Sequence, residues 1–176
     1  IVSMTETRLF YLIHSFQDKE DHNEMLDFYT DIDNEGFEWA GDCGVDIIPI
    51  THAVTGPLSP ALKDVVFELK TTYQFDVDDC YLYWMSINSF IPIDNSRKDY
   101  DLTLLYFLEY NNGYSRLFLE GDTNATDVWK QVVFPPLKGG DAIMIPSHVK
   151  FGFTRHHHPD LMKVLRVNLK MTPLTN

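Results

Sequence analysis

Cysteine and basic residues are both scarce in this chain of 176 residues. The two cysteines, Cys43 and Cys80, form no Cys-x-x-Cys pair and no zinc-ligand spacing, so a reducing compartment is the simpler interpretation. Only 14 Lys and Arg stand against 26 Asp and Glu, which gives a formal net charge of -12. Binding to nucleic acid needs a basic patch that releases counterions from phosphate, and we therefore expect neither nucleic acid nor a membrane as partner.

Long apolar runs and the common catalytic motifs are also missing. No run approaches the roughly 20 residues that a membrane-spanning helix needs, and residues 1–4 do not resemble a signal peptide. We therefore expect a soluble protein, located in the cytoplasm or in a virus particle. The sequence contains no G-x-S-x-G nucleophile motif and no G-x-G-x-x-G phosphate-binding loop, which excludes the familiar hydrolase and nucleotide-binding signatures.

Two helices are predicted in the first half of the chain. Acidic residues open the segment 21–30, which suits the dipole of a helix, and apolar residues follow them. Ser59 can cap a second helix and Pro60 fits its first turn, where a missing N–H is tolerated, so a helix is predicted over 60–72.

Short strands dominate the second half of the chain. About seven aromatic or β-branched segments follow Cys80, separated by Gly, Asn, Asp or Pro, and the first of them is "CYLYWMSINSF". The turn "NNG" (Asn111 to Gly113) predicts a hairpin, because Asn and Gly tolerate positive φ. We expect one domain over 1–176, mainly β with flanking helices (α+β), folded as an antiparallel sandwich or barrel.

The order of these segments resembles the 2-oxoglutarate/Fe(II) dioxygenases, and most of all the small dioxygenase-like proteins of bacteriophages and marine microbes. "SINSF" is similar to the strand that enters the family's metal loop, "GGDAIMIPS" to its G-D-x-x-x-F-P-S strand, and "LRVNLKM" to its last strand. The resemblance covers roughly 62–172 and implies a double-stranded β-helix, a jelly-roll or cupin-like sandwich. It also implies that Arg166, with Asn168 on the same strand face, receives the distal carboxylate of 2-oxoglutarate if that cosubstrate binds.

The resemblance implies an iron site as well, but the matched positions lack imidazoles. Such enzymes hold Fe(II) with two His and one carboxylate. The first His belongs in the region where this chain has "IPIDNSRKDYD", and no His lies between His52 and His148. The other His follows a Pro-Ser pair by four residues, and Phe151 stands there. We therefore expect no catalytic residue, no metal ligand and no cofactor.

The remaining histidines leave alternatives open. In "RHHHPD", His156 and His158 would share a strand face and bind a metal, whereas Pro-Asp after them favours a solvated loop. His148 is either a displaced ligand or a hydrogen-bonded residue at a strand end. An unusual iron site would combine Asp94 and His148 with one of these loop histidines.

Three functions follow from these observations. The first is a non-catalytic structural or binding module, a component of a phage particle or another protein assembly, with protein subunits or further copies of itself as partners. The second is a hydroxylase that uses Fe(II) and 2-oxoglutarate with an unusual ligand set. The third is a cupin-like binder of small ligands or glycans that uses Trp84 or Trp129.

Overall fold

The computed structural model describes residues 12–15, 22–24, 26–27, 38–39, 43–49, 73–93, 99–120 and 132–173. Within these ranges residues 22–24 and 26–27 are helical. The strands of the same ranges are β1 (Leu12–Ser15), β2 (Glu38–Trp39), β3 (Val45–Pro49), β4 (Tyr73–Met85), β5 (Leu102–Glu109), β6 (Leu117–Glu120), β7 (Val132–Val133), β8 (Asp141–Pro146), β9 (Lys150–Phe153) and β10 (Met162–Pro173). No helix among the described residues has the length and apolar character needed to cross a bilayer.

The strands form two antiparallel sheets. The larger sheet has the order β1-β8-β5-β10-β4-β3-β2, and the smaller has the order β7-β6-β9. Ile91 adds an isolated antiparallel bridge to Phe153 at the edge of β9. From β4 onward the chain passes back and forth between the two sheets, which is the winding of a double-stranded β-helix. The predicted fold, mainly β with a jelly-roll architecture, is confirmed.

β5, in the interior of the larger sheet, is buried on both faces, and its successive side chains alternate between them. Leu105 and Phe107 of β5 belong to the core cluster between the sheets, together with residues of the smaller sheet such as Phe153. Leu104 and Tyr106 point to the opposite face and are also fully buried. The helical segment lies against that outer face, because His22 Nδ1 is 2.6 Å from the Tyr106 hydroxyl.

The helical residues fall inside the range 21–30 that the sequence predicts as a helix. The rest of that range, and the whole predicted helix over 60–72, lie outside the described residues, so both helices and the single domain over 1–176 stay predictions.

The strand predicted to begin at Cys80 has different bounds. β4 begins at Tyr73 and ends at Met85, whereas residues after Met85 turn away from the sheet. Asn88 has a φ of 69°, and the Ser89 amide donates to the Ser86 carbonyl at 3.1 Å. The prediction of one strand through "SINSF" is therefore wrong, since Asn88 takes a turn conformation that Asn tolerates.

The turn at "NNG" forms, but it does not make a hairpin. The Gly113 amide donates to Asn111 Oδ1 at 2.8 Å, and the Tyr114 amide donates to the Asn111 carbonyl at 3.0 Å. β5 on one side of the turn pairs with β8 and β10, whereas β6 on the other side pairs with β7 and β9. The hairpin prediction is wrong because a turn is a local property, while pairing is decided by the faces that the two sheets bury.

Candidate functional site

Arg166 lies in the middle of the larger sheet, on the face that looks into the sandwich. It belongs to β10, where it is opposite Tyr81 of β4 and Leu105 of β5. The alternation of strand side chains places Val164, a core residue, on the same face. The fold therefore carries the Arg166 side chain to the inside of the sandwich.

Neutral groups hold the Arg166 guanidinium in place. Its Nε donates to Asn168 Oδ1 at 3.0 Å, Nη1 to the Tyr83 hydroxyl at 2.8 Å and Nη2 to the Tyr100 hydroxyl at 2.5 Å. Asn168 Oδ1 also accepts a hydrogen bond from Thr103 Oγ1 at 3.2 Å. The partners that the structure describes for this cation are thus two phenols and an amide, with no carboxylate.

The charge of Arg166 is maintained despite its partial burial. Burial disfavours the charged guanidinium, whereas electrostatic attraction and hydrogen bonding to the hydroxyls of Tyr83 and Tyr100 favour it, and the balance raises the pKa of Arg166 above its ordinary value. Three of the five N–H groups that a guanidinium carries are used in the bonds described above. The side chain can therefore accept an anion without giving up its present partners.

A cavity of about 300 Å³ opens at this guanidinium. β3 and the segment after β4 provide most of its walls, and Arg166 and Tyr83 provide the polar end. The lining residues are Cys43, Val45, Ile47, Tyr83, Phe90, Ile91, Pro92, Ile93 and Arg166.

A larger cavity, of about 400 Å³, lies beyond the end of β5. Its two carboxylates, Glu109 and Asp160, are exposed to solvent, and Glu109 Oε1 is 3.9 Å from Lys163 Nζ. These two carboxylates are solvated, so this cavity does not hold a buried charge that needs a ligand as its counterion. The Arg166 cavity is therefore the better candidate site, although it is the smaller of the two.

Phe151 occupies the position that the resemblance assigns to an iron ligand. It is buried on β9, and its ring centroid is 5.0 Å from the guanidinium carbon of Arg166. A phenyl ring has no lone pair for a metal, so this position contributes only apolar surface beside the cavity.

The other candidate ligands do not gather around Arg166 within the described ranges. His148 is exposed in the turn between β8 and β9, and Asp94 lies outside the described residues. No group of three or more His, Cys, Asp or Glu side chains suited to a metal occurs among the residues that the structure describes. Because residues 94–98 are not described, the predicted loss of the iron ligands stays a prediction.

The "RHHHPD" loop joins two parts of the sandwich. His156 is fully buried, its Nε2 is 2.5 Å from the Asp160 carbonyl oxygen, and its backbone amide donates to the Ser89 carbonyl at 2.8 Å. His158 stacks on Tyr114 with ring centroids 3.8 Å apart. The expectation of a solvated loop is wrong for His156, because its ring packs inside the structure and its backbone ties the loop to the turn after β4.

The two tyrosines that hold Arg166 were not among the residues predicted from the sequence. Tyr83 is 83 residues away from Arg166 in the chain, and it reaches the guanidinium only because β4 pairs with β10. A buried phenol generally needs a polar partner, and that rule is the signal that points from Tyr83 to a polar group in the interior. The rule alone does not identify Arg166 as that polar group, because this step requires the register between β4 and β10.

Solved structures show the same fold, although no family model and no curated protein matches the chain. The α-ketoglutarate-dependent epimerase SnoN from nogalamycin biosynthesis has a TM-score of 0.75 at 11% identity, over 96% of this chain and 83% of that one. HygX from Streptomyces hygroscopicus has a TM-score of 0.68 at 9% identity, over 96% of this chain and 85% of that one. A Pseudomonas putida prolyl-4-hydroxylase has a TM-score of 0.60 at 12% identity, over 94% of this chain and 97% of that one.

The chain has the fold of the 2-oxoglutarate/Fe(II) oxygenases. The resemblance expected from the sequence is thereby confirmed at the level of fold.

The expectation that this chain has no cofactor is contradicted by its structural neighbours. HygX was solved with nickel and 2-oxoglutarate bound, and SnoN was solved with Fe³⁺ and α-ketoglutarate. In this oxygenase-like chain the described side chains suit one of the two cofactors better than the other. A carboxylate fits the charge and hydrogen-bonding capacity of Arg166, whereas the described residues do not assemble a set of metal ligands.

Proposed function

We propose that the protein is a binding module of oxygenase-like fold that takes up a small carboxylate in the cavity at Arg166. The observation that carries this proposal is a partly buried, charged guanidinium whose described partners are all neutral and which opens onto a cavity of about 300 Å³. A buried charge is costly unless it is paired. A carboxylate supplies both an opposite charge and acceptors for the remaining N–H groups of the planar fork.

Hydroxylation with Fe(II) and 2-oxoglutarate is the second candidate function. It is supported by the shared fold and by the position of Arg166 on the last strand. In that reaction Arg166, oriented by Asn168, would bind the distal carboxylate of 2-oxoglutarate, and iron would supply the activation of oxygen. Phe151 and the other described residues do not fit the metal, so the support for this function ends at the binding of the carboxylate.

Membership of a phage particle or another protein assembly, with protein subunits or further copies of the chain as partners, stays a prediction. It comes from the resemblance, and a fold does not fix a function. Light scattering coupled to size-exclusion chromatography tests the self-association part of it, and a strictly monomeric protein would contradict a homo-oligomer.

A glycan site at the predicted tryptophans has less support. Lys163 Nζ is 5.2 Å from the ring centroid of Trp84, so one face of that indole is covered by a cation. Trp129 lies outside the described residues. A sugar stacks only on an aromatic face that is open. Trp84 has at most one open face for such stacking.

The test of the proposed function is ligand-induced thermal stabilisation by simple carboxylates. Acetate, hexanoate and 2-oxoglutarate are added separately to the purified chain, and the midpoint of thermal unfolding is measured. At least one of them should raise the midpoint, because a ligand that binds only the folded state stabilises it. In Arg166→Met the shift should disappear, because a thioether of similar length cannot pair with a carboxylate.

Two controls make this test decisive. Arg116→Met removes an exposed arginine that lies over Phe134, and it should leave the carboxylate effect unchanged. Arg166→Met leaves the Tyr83 and Tyr100 hydroxyls without the guanidinium, which costs stability, so circular dichroism and the unfolding midpoint without ligand establish first that the variant is folded. The proposal fails if no carboxylate stabilises the unmodified chain, or if the stabilisation survives in a folded Arg166→Met variant.

A further inference from the structure

Most of the described side chains that line the Arg166 cavity are apolar. Among the described residues that line it, Arg166 is the one charged residue, and its Nη1 donates to the Tyr83 hydroxyl. The rest of the lining consists of a thiol and apolar side chains, namely Cys43, Val45, Ile47, Phe90, Ile91, Pro92 and Ile93. The site therefore has a cationic end and an apolar body.

This distribution discriminates between classes of carboxylate. A ligand with one carboxylate can pair it with Arg166 and bury its remaining atoms against the apolar walls. A dicarboxylate such as 2-oxoglutarate would bring its second charge to a surface where the described lining has no second cation. An unpaired carboxylate in an apolar site is strongly disfavoured.

Phe151 adds an apolar ring beside the guanidinium. Its buried ring lies 5.0 Å from the guanidinium carbon. Ile91, which bridges to β9, lines the cavity itself. Both side chains are hydrocarbon, one beside the guanidinium and one in the cavity wall, so they favour an apolar group over a polar one.

We propose that the ligand of this cavity is a monocarboxylic acid with an aliphatic or aromatic tail, with its carboxylate on Arg166 and its tail between β3 and the segment 90–93. This inference rests on the proposed carboxylate-binding function. The cavity volume of about 300 Å³ is at the lower end of the range for small-molecule sites, and it therefore fits a short or medium-length acid.

Calorimetric titration with matched acids tests the inference. Acetate, butanoate and hexanoate share one head group and differ in tail length, while adipate has the six carbons of hexanoate with a second carboxylate in place of the methyl group. Affinity should increase from acetate to hexanoate, by up to about fourfold for each buried methylene. Adipate and 2-oxoglutarate should bind at least about tenfold more weakly than hexanoate.

Variants separate the two ends of the site. Ile47→Thr places a hydroxyl in the apolar wall, so it should weaken hexanoate binding and leave acetate binding unchanged. Arg166→Met should abolish the binding of both acids. If adipate or 2-oxoglutarate binds as tightly as hexanoate and depends on Arg166, the monocarboxylate inference is wrong and carboxylate binding stands. If none of the acids binds, or if binding survives Arg166→Met, the proposed function fails together with the inference.

Cys43 reports whether the tail occupies this cavity. Burial raises the pKa of the Cys80 thiol to about 12, so iodoacetamide at neutral pH should label Cys43 selectively in the folded chain, because the thiolate is the reactive form. Saturating hexanoate should slow the labelling of Cys43 severalfold. Labelling at an unchanged rate, with hexanoate bound by calorimetry, would place the ligand outside the cavity and overturn the inference.

Discussion

Phe151 packs in the core and also contacts the cation of the candidate site. Its ring is buried in the core and lies over the Arg166 guanidinium. We expect Phe151→Ala to lower the free energy of unfolding by about 3–5 kcal/mol, because the substitution leaves a cavity in the core and removes a cation–π contact. Urea denaturation monitored by circular dichroism measures this change.

Phe134 provides the matched control, since it is 42% exposed and also lies under an arginine. Phe134→Ala should change the free energy of unfolding by less than about 1 kcal/mol. A loss below about 1 kcal/mol in Phe151→Ala as well would mean that burial of Phe151 contributes little to stability.

At the level of single residues, the sequence identified the centre of the candidate site but not its surroundings. Arg166 was predicted because a resemblance singled out its strand. Tyr100 was not, because its contact with Arg166 joins residues far apart in the chain. His156 was predicted to be solvated from the turn residues around it, yet it is buried and its backbone amide donates to Ser89, which is far away in the chain.

At the scale of the elements, β9 has no room for a side chain at Gly152. A Cβ there would lie 2.5 Å from the Ile91 carbonyl oxygen and 2.6 Å from Phe118 Cζ. The carbonyl cannot retreat easily, because the Phe153 amide donates to it at 2.9 Å. Gly152→Ala should therefore destabilise the fold by about 1–3 kcal/mol through overpacking, measured as a shift in the urea midpoint.

Gly139→Ala is the control for that substitution. The nearest atoms to a Cβ at Gly139 are 3.8 Å away, an ordinary contact distance. This variant should be close to the parent chain in stability, and a loss as large as that of Gly152→Ala would rule out the steric explanation.

The helical segment should confer a pH dependence on stability through His22. Burial lowers the pKa of His22 below its ordinary value of 6.5, so the unfolded chain takes up a proton more readily than the folded one. The contribution is fully present above about pH 6.5 and is lost as the pH falls towards the lowered value. His22→Asn keeps a neutral polar side chain in that place and should lose less stability between about pH 7.5 and about pH 5.5 than the parent chain.

Urea denaturation at the two pH values measures this difference, with His148→Asn as the control because His148 is exposed. The control should follow the parent chain. If His22→Asn loses as much stability between the two pH values as the parent chain, the proton uptake occurs at another group.

The elements were predictable to the extent that their signals are local. The segment "DAIMIPS" is short, apolar and contains β-branched isoleucines, and β8 lies there. The end of β4 at Met85 was not predictable from composition, because "SINSF" has strand-forming residues on both sides of the turn at Asn88. The order of the sheets also depends on pairings that no local pattern encodes.

For the molecule as a whole, the formal net charge of -12 should make stability sensitive to salt. Like charges on a compact surface repel each other, and salt screens them. Raising NaCl from about 0.02 M to about 0.3 M at neutral pH should raise the midpoint of thermal unfolding. Near the isoelectric point of about 4.8 the same addition should have a smaller effect, and an equal rise at both pH values would exclude screening as the cause.

The position of β10 has a consequence for how the protein is made. β10 is the last strand in chain order, yet it lies between β5 and β4 in the larger sheet. While the ribosome is still adding residues before Met162, β4 and β5 have no strand between them. The backbone edges of these two apolar strands therefore stay unpaired. The sandwich can close only after residue 173 has left the exit tunnel, so the nascent chain is exposed to misassembly until synthesis has passed that point.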